Sequence, residues 1–290
     1  MSVKKKLQKL LLFASFILTA ALTAGCGKGS EESTAQSEAA LSVSIIDVGK
    51  GDCILAACGG KNILIDAGYE DTADEVEEYL TSHNCSGLEA MVITHYDKDH
   101  VGGAAKLAED LDIAKIYLPD YEGKSTYYNN LMKVIEDKGI SASKVSEDVT
   151  LSLGSATFTL IASDVEYSDP DGEEGNDNDV SLVISATFGE DSILFAGDIE
   201  KDGIKAFLKK HTESYEILKM PHHGKTEKNS DDLLKSVNPD CVIITDSTKD
   251  PAEDDLLELL EDKKVYRTSE CGTISISITG SGYTVSTASN

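Results

Sequence analysis

Thr94-His95-Tyr96-Asp97-Lys98-Asp99-His100-Val101-Gly102-Gly103 is the stretch on which the reading of this chain turns. It follows an apolar run, Ala90-Met91-Val92-Ile93, so a short strand gives way to a polar loop closed by two glycines. Four side chains able to hold a metal, His95, Asp97, Asp99 and His100, are thus carried by one loop at a strand end. Imidazole and carboxylate together suit zinc, manganese or iron, and carboxylate oxygens favour the harder ions. A D-x-D in an acidic protein is by itself an ordinary solvated loop. The histidines decide otherwise, because the chain has six in all, two of them in this loop and two adjacent at His222-His223.

Working outward, the chain alternates short apolar runs with turns. Leu41 to Asp47 has strand alternation, and Cys53–Ala57 and Asn62–Ile65 form a hairpin around Gly59-Gly60. Val76, Tyr79 and Leu80 share one helical face within 72–83, and Gly102-Gly103 opens a helix through Leu111. A strand at 114–118 and a helix at 127–138 follow, then two strands in 150–161 broken at Gly154-Ser155. Val180–Phe188 and Ser192–Phe195 make a hairpin that ends in Ala196-Gly197-Asp198. After a helix through Leu208, the strand 216–220 runs into Pro221-His222-His223-Gly224. A short helix at Leu233, strand 241–245, helix 256–261 and strands 265–267, 273–278 and 283–286 complete the chain. Strands come first and are then mixed with helices, repeated loosely in two halves. That order suits an α/β fold of two packed sheets with helices outside and ligands at strand ends.

The first residues stand apart. Lys4, Lys5, Lys6 and Lys9 precede an apolar run from Leu10 to Leu22, the layout of a secretory signal, and it is short for a membrane span. The run ends in Leu22-Thr23-Ala24-Gly25-Cys26, which resembles a bacterial lipobox. The expectation is therefore a signal peptide over 1–25, a lipid on Cys26, a flexible tether over 26–40 and a folded domain over 41–290. The protein would then sit on the extracellular face of the cell membrane. The remaining cysteines are odd in number and match no zinc spacing, and several sit in apolar runs and read as small core residues. A net charge of −26, from 26 basic and 52 acidic residues, argues against a broad phosphate-binding surface. It leaves room for one phosphate ester held locally by metal.

H-x-D-x-D-H after a strand, G-D at a later strand end and P-H-H-G after the next resemble the metallo-β-lactamase superfamily, and more closely its ComEC-like branch. The motifs Asp47-Val48-Gly49-Lys50-Gly51-Asp52, Leu64-Ile65-Asp66-Ala67-Gly68, Asn178-Asp179-Val180-Ser181 and Val265-Tyr266-Arg267-Thr268 occur in the family's order. The resemblance implies a metallo-β-lactamase-like αββα sandwich of two mixed sheets, with two divalent metal ions, zinc first and manganese second. It places His95 and Asp97 on one metal, Asp99 and His100 on the other and Asp198 between them, with the P-H-H-G histidines, His222 first and His223 as the alternative, completing the ligands. Asp99 and His223 are then the catalytic pair, and Asp66 braces the site.

Two departures from the family pattern stand out. No histidine lies between His100 and His211, so Asn178, Asp177 or Asp179 would have to replace the usual ligand, and Lys249-Asp250-Pro251 stands where glycine-histidine-proline is common. The acidic segment from Asp164 to Asp179 reads as a solvated face or a weak calcium site.

These features point to a surface-anchored metal-dependent hydrolase acting on a phosphodiester, as a nuclease or as a small-substrate phosphoesterase of the cell wall. A surface binding protein that keeps the fold without turnover is the reading from another class. The partners implied are the phosphodiester substrate, DNA or a cell-wall phosphoester, and the membrane through Cys26; no protein partner is indicated.

Overall fold

Apolar residues on successive positions of the strands face two different cores. In the strand Lys61–Ile65, Ile63 and Ile65 pack into one hydrophobic cluster and Leu64 into another. The same split divides Ile193 and Phe195 from Leu194, and Cys241 and Ile243 from Val242 and Ile244. Side chains alternate across a strand, so an unbroken apolar run such as Ile-Leu-Ile means a strand buried on both faces.

The computed structural model describes residues 40–169 and 175–288. The expected signal peptide, Cys26 and the tether up to residue 39 lie outside the described residues, as does part of the acidic segment. Among the described residues no helix is long and apolar enough to cross a membrane.

The first sheet holds β1 (Leu41–Ile45), β2 (Ile54–Cys58), β3 (Lys61–Ile65), β5 (Ala90–Val92), β7 (Lys115–Pro119), β8 (Ser141–Val145), β16 (Ile274–Ile278) and β17 (Tyr283–Thr287). Their order is β17-β16-β1-β2-β3-β5-β7-β8, antiparallel from β17 to β3 and parallel from β3 to β8. The second sheet holds β9 (Val149–Leu153), β10 (Ala156–Ile161), β11 (Val183–Phe188), β12 (Asp191–Phe195), β13 (Ile217–Lys219), β14 (Cys241–Ile244) and β15 (Lys264–Arg267). It runs β15-β14-β13-β12-β11-β10-β9, parallel up to β12 and antiparallel beyond it. β4 (Gly87–Leu88) and β6 (Asp112–Ile113) pair separately.

Three apolar layers result. Phe158, Phe195, Ile45 and Ile54 lie between the sheets. Val76, Leu107 and Leu131 bring helices 73–82, 104–110 and 126–138 onto the outer face of the first sheet. Ile204, Leu233 and Leu256 do the same for helices 201–207, 230–237 and 254–259 on the second. Each such side chain withdrawn from water contributes about 1.5–3 kcal/mol. The architecture is the expected αββα sandwich. Strand Ser141–Val145 was not legible in the sequence; four of its five positions keep some exposure, which removes the apolar signal from an edge strand.

The layers put one set of loops together. β3, β5, β12, β13 and β14 are parallel strands or border them, and the carboxyl ends of such strands are where ligands gather in α/β sheets. Asp66, the Thr94–His100 loop, Asp198, His222-His223 and Thr245 follow these five ends in turn. Asp52, ahead of the antiparallel β2, enters from the same edge.

Candidate metal centre

Three loops of the first sheet interlock before any ligand is placed. The backbone amide of Ala67 donates to His100 O (2.8 Å), that of Gly68 to Asp52 O (2.9 Å), that of Asp52 to Asp99 O (3.1 Å) and that of Gly103 to Gly68 O (3.1 Å). A Cβ on Gly103 would stand 2.4 Å from Ala67 O, so the paired glycines let the two backbones approach. Asp66 itself adopts a left-handed φ of 56°. Its carboxylate, fully buried, accepts from the Thr94 amide (2.8 Å), Thr94 Oγ1 (2.7 Å) and His100 Nδ1 (2.8 Å). This is the bracing role expected of Asp66.

With Nδ1–H of His100 given to Asp66, its Nε2 is left facing His223 Nε2 at 3.2 Å. His223 is fixed in the same way from the other sheet. Its Nδ1 lies 3.0 Å from Thr245 Oγ1, and that hydroxyl donates to Asp52 Oδ1 at 2.7 Å. Asp198 Oδ2 stands 3.3 Å from His100 Nε2 and 3.0 Å from His223 Nε2, and Asp99 Oδ2 is 3.3 Å from His223 Nε2. Two imidazole nitrogens turned toward each other within a ring of carboxylates have one simple resolution, a cation shared among them. Hydrogen bonding of the far ring nitrogen to an oxygen acceptor is the usual support for a metal-bound histidine.

His95 completes the picture. Its ring is fully buried, Nδ1 is 3.0 Å from Thr94 Oγ1, and Nε2 is buried with no hydrogen-bond partner. Asp198 Oδ1 is likewise buried and without a hydrogen bond. His95, His100 and Asp198 each offer a ligand atom within 4.8 Å of the others, as do Asp99, His100 and His223. The residues present fit two cations that share His100 and Asp198 as neighbours.

Charge agrees with the geometry. Burial, then the neighbouring His100, holds His95 well below the usual histidine range, so its lone pair is free. Burial alone would lower His100 and His223 too, yet Asp198 drives both upward, aided by Asp66 at His100 and by Asp99 at His223. The protein thus asks for positive charge at the nitrogens where a metal would sit. Burial would raise Asp198, but His223, His100 and Lys219 hold it well below the ordinary carboxylate range.

Lys219 is fully buried, forms an ion pair with Asp52, donates to Gly197 O (3.3 Å) and lies 3.6 Å from Asp198 Oδ1. The sequence reading did not single out Lys219 or Thr245, nor Asp52 as a site residue. A lysine between Leu218 and Met220 in an apolar strand was the available signal, since a cation there must find a buried anion.

His222 goes elsewhere. His222 and His223 occupy successive left-handed positions, φ 49° and 55°, and their ring centroids are 6.4 Å apart. His222 Nδ1 faces Glu200 Oε1 (3.1 Å) and Glu227 Oε1 (3.3 Å), away from Asp99 and His100. The geometry therefore exchanges the expected roles: His223 joins the loop ligands, while His222 belongs to a separate group. Asp97 stays at the edge of the centre, its side chain 48% exposed and Oδ2 3.8 Å from His95 Nε2. Burial and then Asp99 push its pKa up to about 6.

Of the three residues considered for the missing histidine, Asp179 is committed to structure. Its Oδ1 accepts from the amides of Asp202 (3.0 Å) and Gly203 (2.7 Å) at the start of helix 201–207. Asn178 and Asp177 line a cavity of about 660 Å³ with Asp97, Asp99, Asp198 and Glu200. Lys50 and Lys225 supply cationic groups to the same wall. Asp250, of the Lys249-Asp250-Pro251 departure, pairs with Lys50 at 2.6 Å. Tyr121 and Tyr128 are core residues, tilted against the Tyr96 ring and 5% exposed.

The profile of the family described as "Metallo-beta-lactamase superfamily" matches residues 46–244. The chain is 23% identical over 256 residues to "ComE operon protein 3" of Bacillus subtilis, covering 80% of this chain and 32% of that protein. It is 25% identical over 217 residues to "Recombination protein 2" of Haemophilus influenzae, covering 72% and 24%. The chain thus spans a third or less of the length of these curated relatives. Among solved structures, the metallo-beta-lactamase fold protein YhfI from Bacillus subtilis superposes with a TM-score of 0.54 at 14% identity, covering 79% of this chain and 96% of that one.

Proposed function

The chain belongs to the metallo-beta-lactamase superfamily, and on that footing we propose that it is a metal-dependent hydrolase cleaving a phosphodiester in the cavity beneath Asp97 and His223. The observation that carries this reading is the 3.2 Å approach of His100 Nε2 and His223 Nε2, with each ring's far nitrogen already bonded to an oxygen. His95, Asp97 and Asp198 would hold one divalent cation, and Asp99, His100, His223 and Asp198 the second, zinc first and manganese second by donor type. When bound, the two ions supply Lewis acidity toward a phosphoryl oxygen and a water more acidic than bulk.

The chain's own residues do the rest. Asp66 holds the His100 ring by Nδ1, and Thr245 with Asp52 holds His223, so neither imidazole swings away during turnover. Lys219 offsets the buried charge of Asp52 and Asp198. Lys225 and Lys50 present positive charge to a substrate phosphate entering the cavity. Both ring nitrogens of His223 are engaged, so in this reading it serves as a ligand.

DNA is the substrate favoured by the similarity to a recombination protein. A small cell-wall phosphodiester is the second reading, favoured by a net charge of −26 and by carboxylates that outnumber lysines in the cavity wall. A nuclease draws much of its affinity from Lys and Arg on phosphates. We also propose that Cys26 carries a lipid that tethers the domain to the outer face of the membrane. The basic-then-apolar leader ending at Cys26 supports this.

The test is metal content and turnover of bis-p-nitrophenyl phosphate by the full chain in detergent, with zinc or manganese added, beside Asp99→Ala. Two bound metals and turnover lost in the variant support the reading. Turnover of linear DNA that falls steeply with salt then favours the nuclease, and salt-insensitive turnover of small diesters the other. A folded chain that turns over no diester with either ion returns the surface binding protein as the better account.

A further inference from the structure

Glu200, His222 and Glu227 lie outside the centre described above, although Glu200 and His222 line the same cavity. They come from three elements: the loop after β12, the turn after β13 and the segment ahead of helix 230–237. Glu227 is fixed there by its amide, which bonds Ser230 Oγ at 2.9 Å. One ligand atom from each of the three residues lies within 4.8 Å of the others.

We infer that Glu200, His222 and Glu227 form an auxiliary divalent-cation site on the wall of the cavity, additional to the two cations proposed above. His222 Nδ1 is 3.1 Å from Glu200 Oε1 and 3.3 Å from Glu227 Oε1. Two carboxylates from separate segments thus converge on one imidazole nitrogen, the arrangement of a three-ligand cation site. With metal–ligand bonds of about 2.0–2.2 Å, tetrahedral ligand atoms stand roughly 3.3–3.6 Å apart. The spacing around His222 is close to this and matches that around His223, where Asp99 Oδ2 is 3.3 Å away.

Asn178 gives a further, separate observation. Its Nδ2 donates to Glu200 Oε1 at 2.9 Å, while its Oδ1 is buried with no hydrogen-bond partner. Turning the amide over exchanges the two atoms at almost no steric cost and brings an oxygen to Glu200 in place of the N–H. With a cation on Glu200, that oxygen would serve as a further ligand to it. One imidazole nitrogen with two carboxylates and an amide oxygen is a donor set for manganese or zinc. Glu200 and His222 line the same cavity as Asp99 and Asp198, so such an ion would face the same substrate space as the main centre. There it would bind a non-reacting oxygen of an anionic substrate.

Metal stoichiometry of the full chain, dialysed against buffered Mn2+ and measured by mass spectrometry, tests this without any activity assay. Wild type is expected to hold three ions, and Glu227→Gln and Glu200→Gln two each, with the lost ion bound at least tenfold more weakly in titration. Asp99→Asn should spare the auxiliary ion. Equal metal content in wild type and both glutamine variants overturns the inference. If wild type then holds two ions and Asp99→Asn loses them, the main centre stands and only the auxiliary site falls. A wild type that holds no metal overturns both.

Discussion

Replacing Asp66 by asparagine isolates what bracing contributes to the metal centre. Asparagine keeps the shape and tolerates the left-handed φ of 56° found at this position. It cannot keep the hydrogen bonds. The native carboxylate accepts from three donors, the Thr94 amide, Thr94 Oγ1 and His100 Nδ1. An amide offers one oxygen, so one orientation sets N–H against the Thr94 amide and the other sets it against His100 Nδ1–H. In the second case His100 escapes the clash by moving its proton to Nε2, the atom that would bind metal. Loss of such a brace typically lowers metal affinity 10–100-fold, or roughly 1.4–2.8 kcal/mol. Isothermal titration of metal-stripped wild type and Asp66→Asn with zinc reads this directly, with circular dichroism to confirm that the variant is folded. A folded variant that binds zinc within about threefold of wild type would refute the argument that the tautomer of His100 is set by Asp66.

Three more outcomes follow from contacts in the same region. Lys219→Met leaves Asp52 and Asp198 buried without their cation, and breaking a buried pair on one side costs about 3–5 kcal/mol; urea unfolding should show this, with partial recovery when Asp52→Asn is added. Gly103→Ala pushes a Cβ to 2.4 Å from Ala67 O, so the loop carrying Asp66 must shift; a loss of about 1–3 kcal/mol and reduced metal content are expected, read by thermal melting and mass spectrometry. Asp246 is fully buried, and although burial raises its pKa, Ser269, the Ala252 amide and Arg267 outweigh that and hold it below the usual range. Its contribution is therefore present above the unfolded carboxylate value of about 4 and fades as pH falls through the lowered folded value; Asp246→Asn should be less stable than wild type at neutral pH, with the gap closing in acid.

Much of this protein was legible in the sequence because its signals are local. An Ile-Leu-Ile run already implies a strand covered on both faces, and the two sheets with their outer helices follow from repeating it. His95, Asp99 and His100 share one loop, so their convergence needed only a strand end and two glycines to be foreseen. The free cysteines behaved as expected of small apolar groups, with Cys53, Cys58, Cys85 and Cys241 buried. Asp179 illustrates the limit within one segment. It sits beside Asn178 and is chemically a ligand, yet helix 201–207 claims its carboxylate.

What only the tertiary structure decided are relations between residues far apart in the chain. Whether His222 or His223 meets Asp99 depends on two successive left-handed residues after β13, and spacing carries no information on which ring turns inward. Lys219 and Asp52 are 167 positions apart, and Thr245 and Asp52 193, so no periodicity links them. They meet because the two sheets pack face to face and bring their loop-bearing edges together. A buried charge must then find its counter-charge across that seam or not fold at all. Local sequence sets which groups each strand end carries, and the packing of the two sheets sets which of them converge.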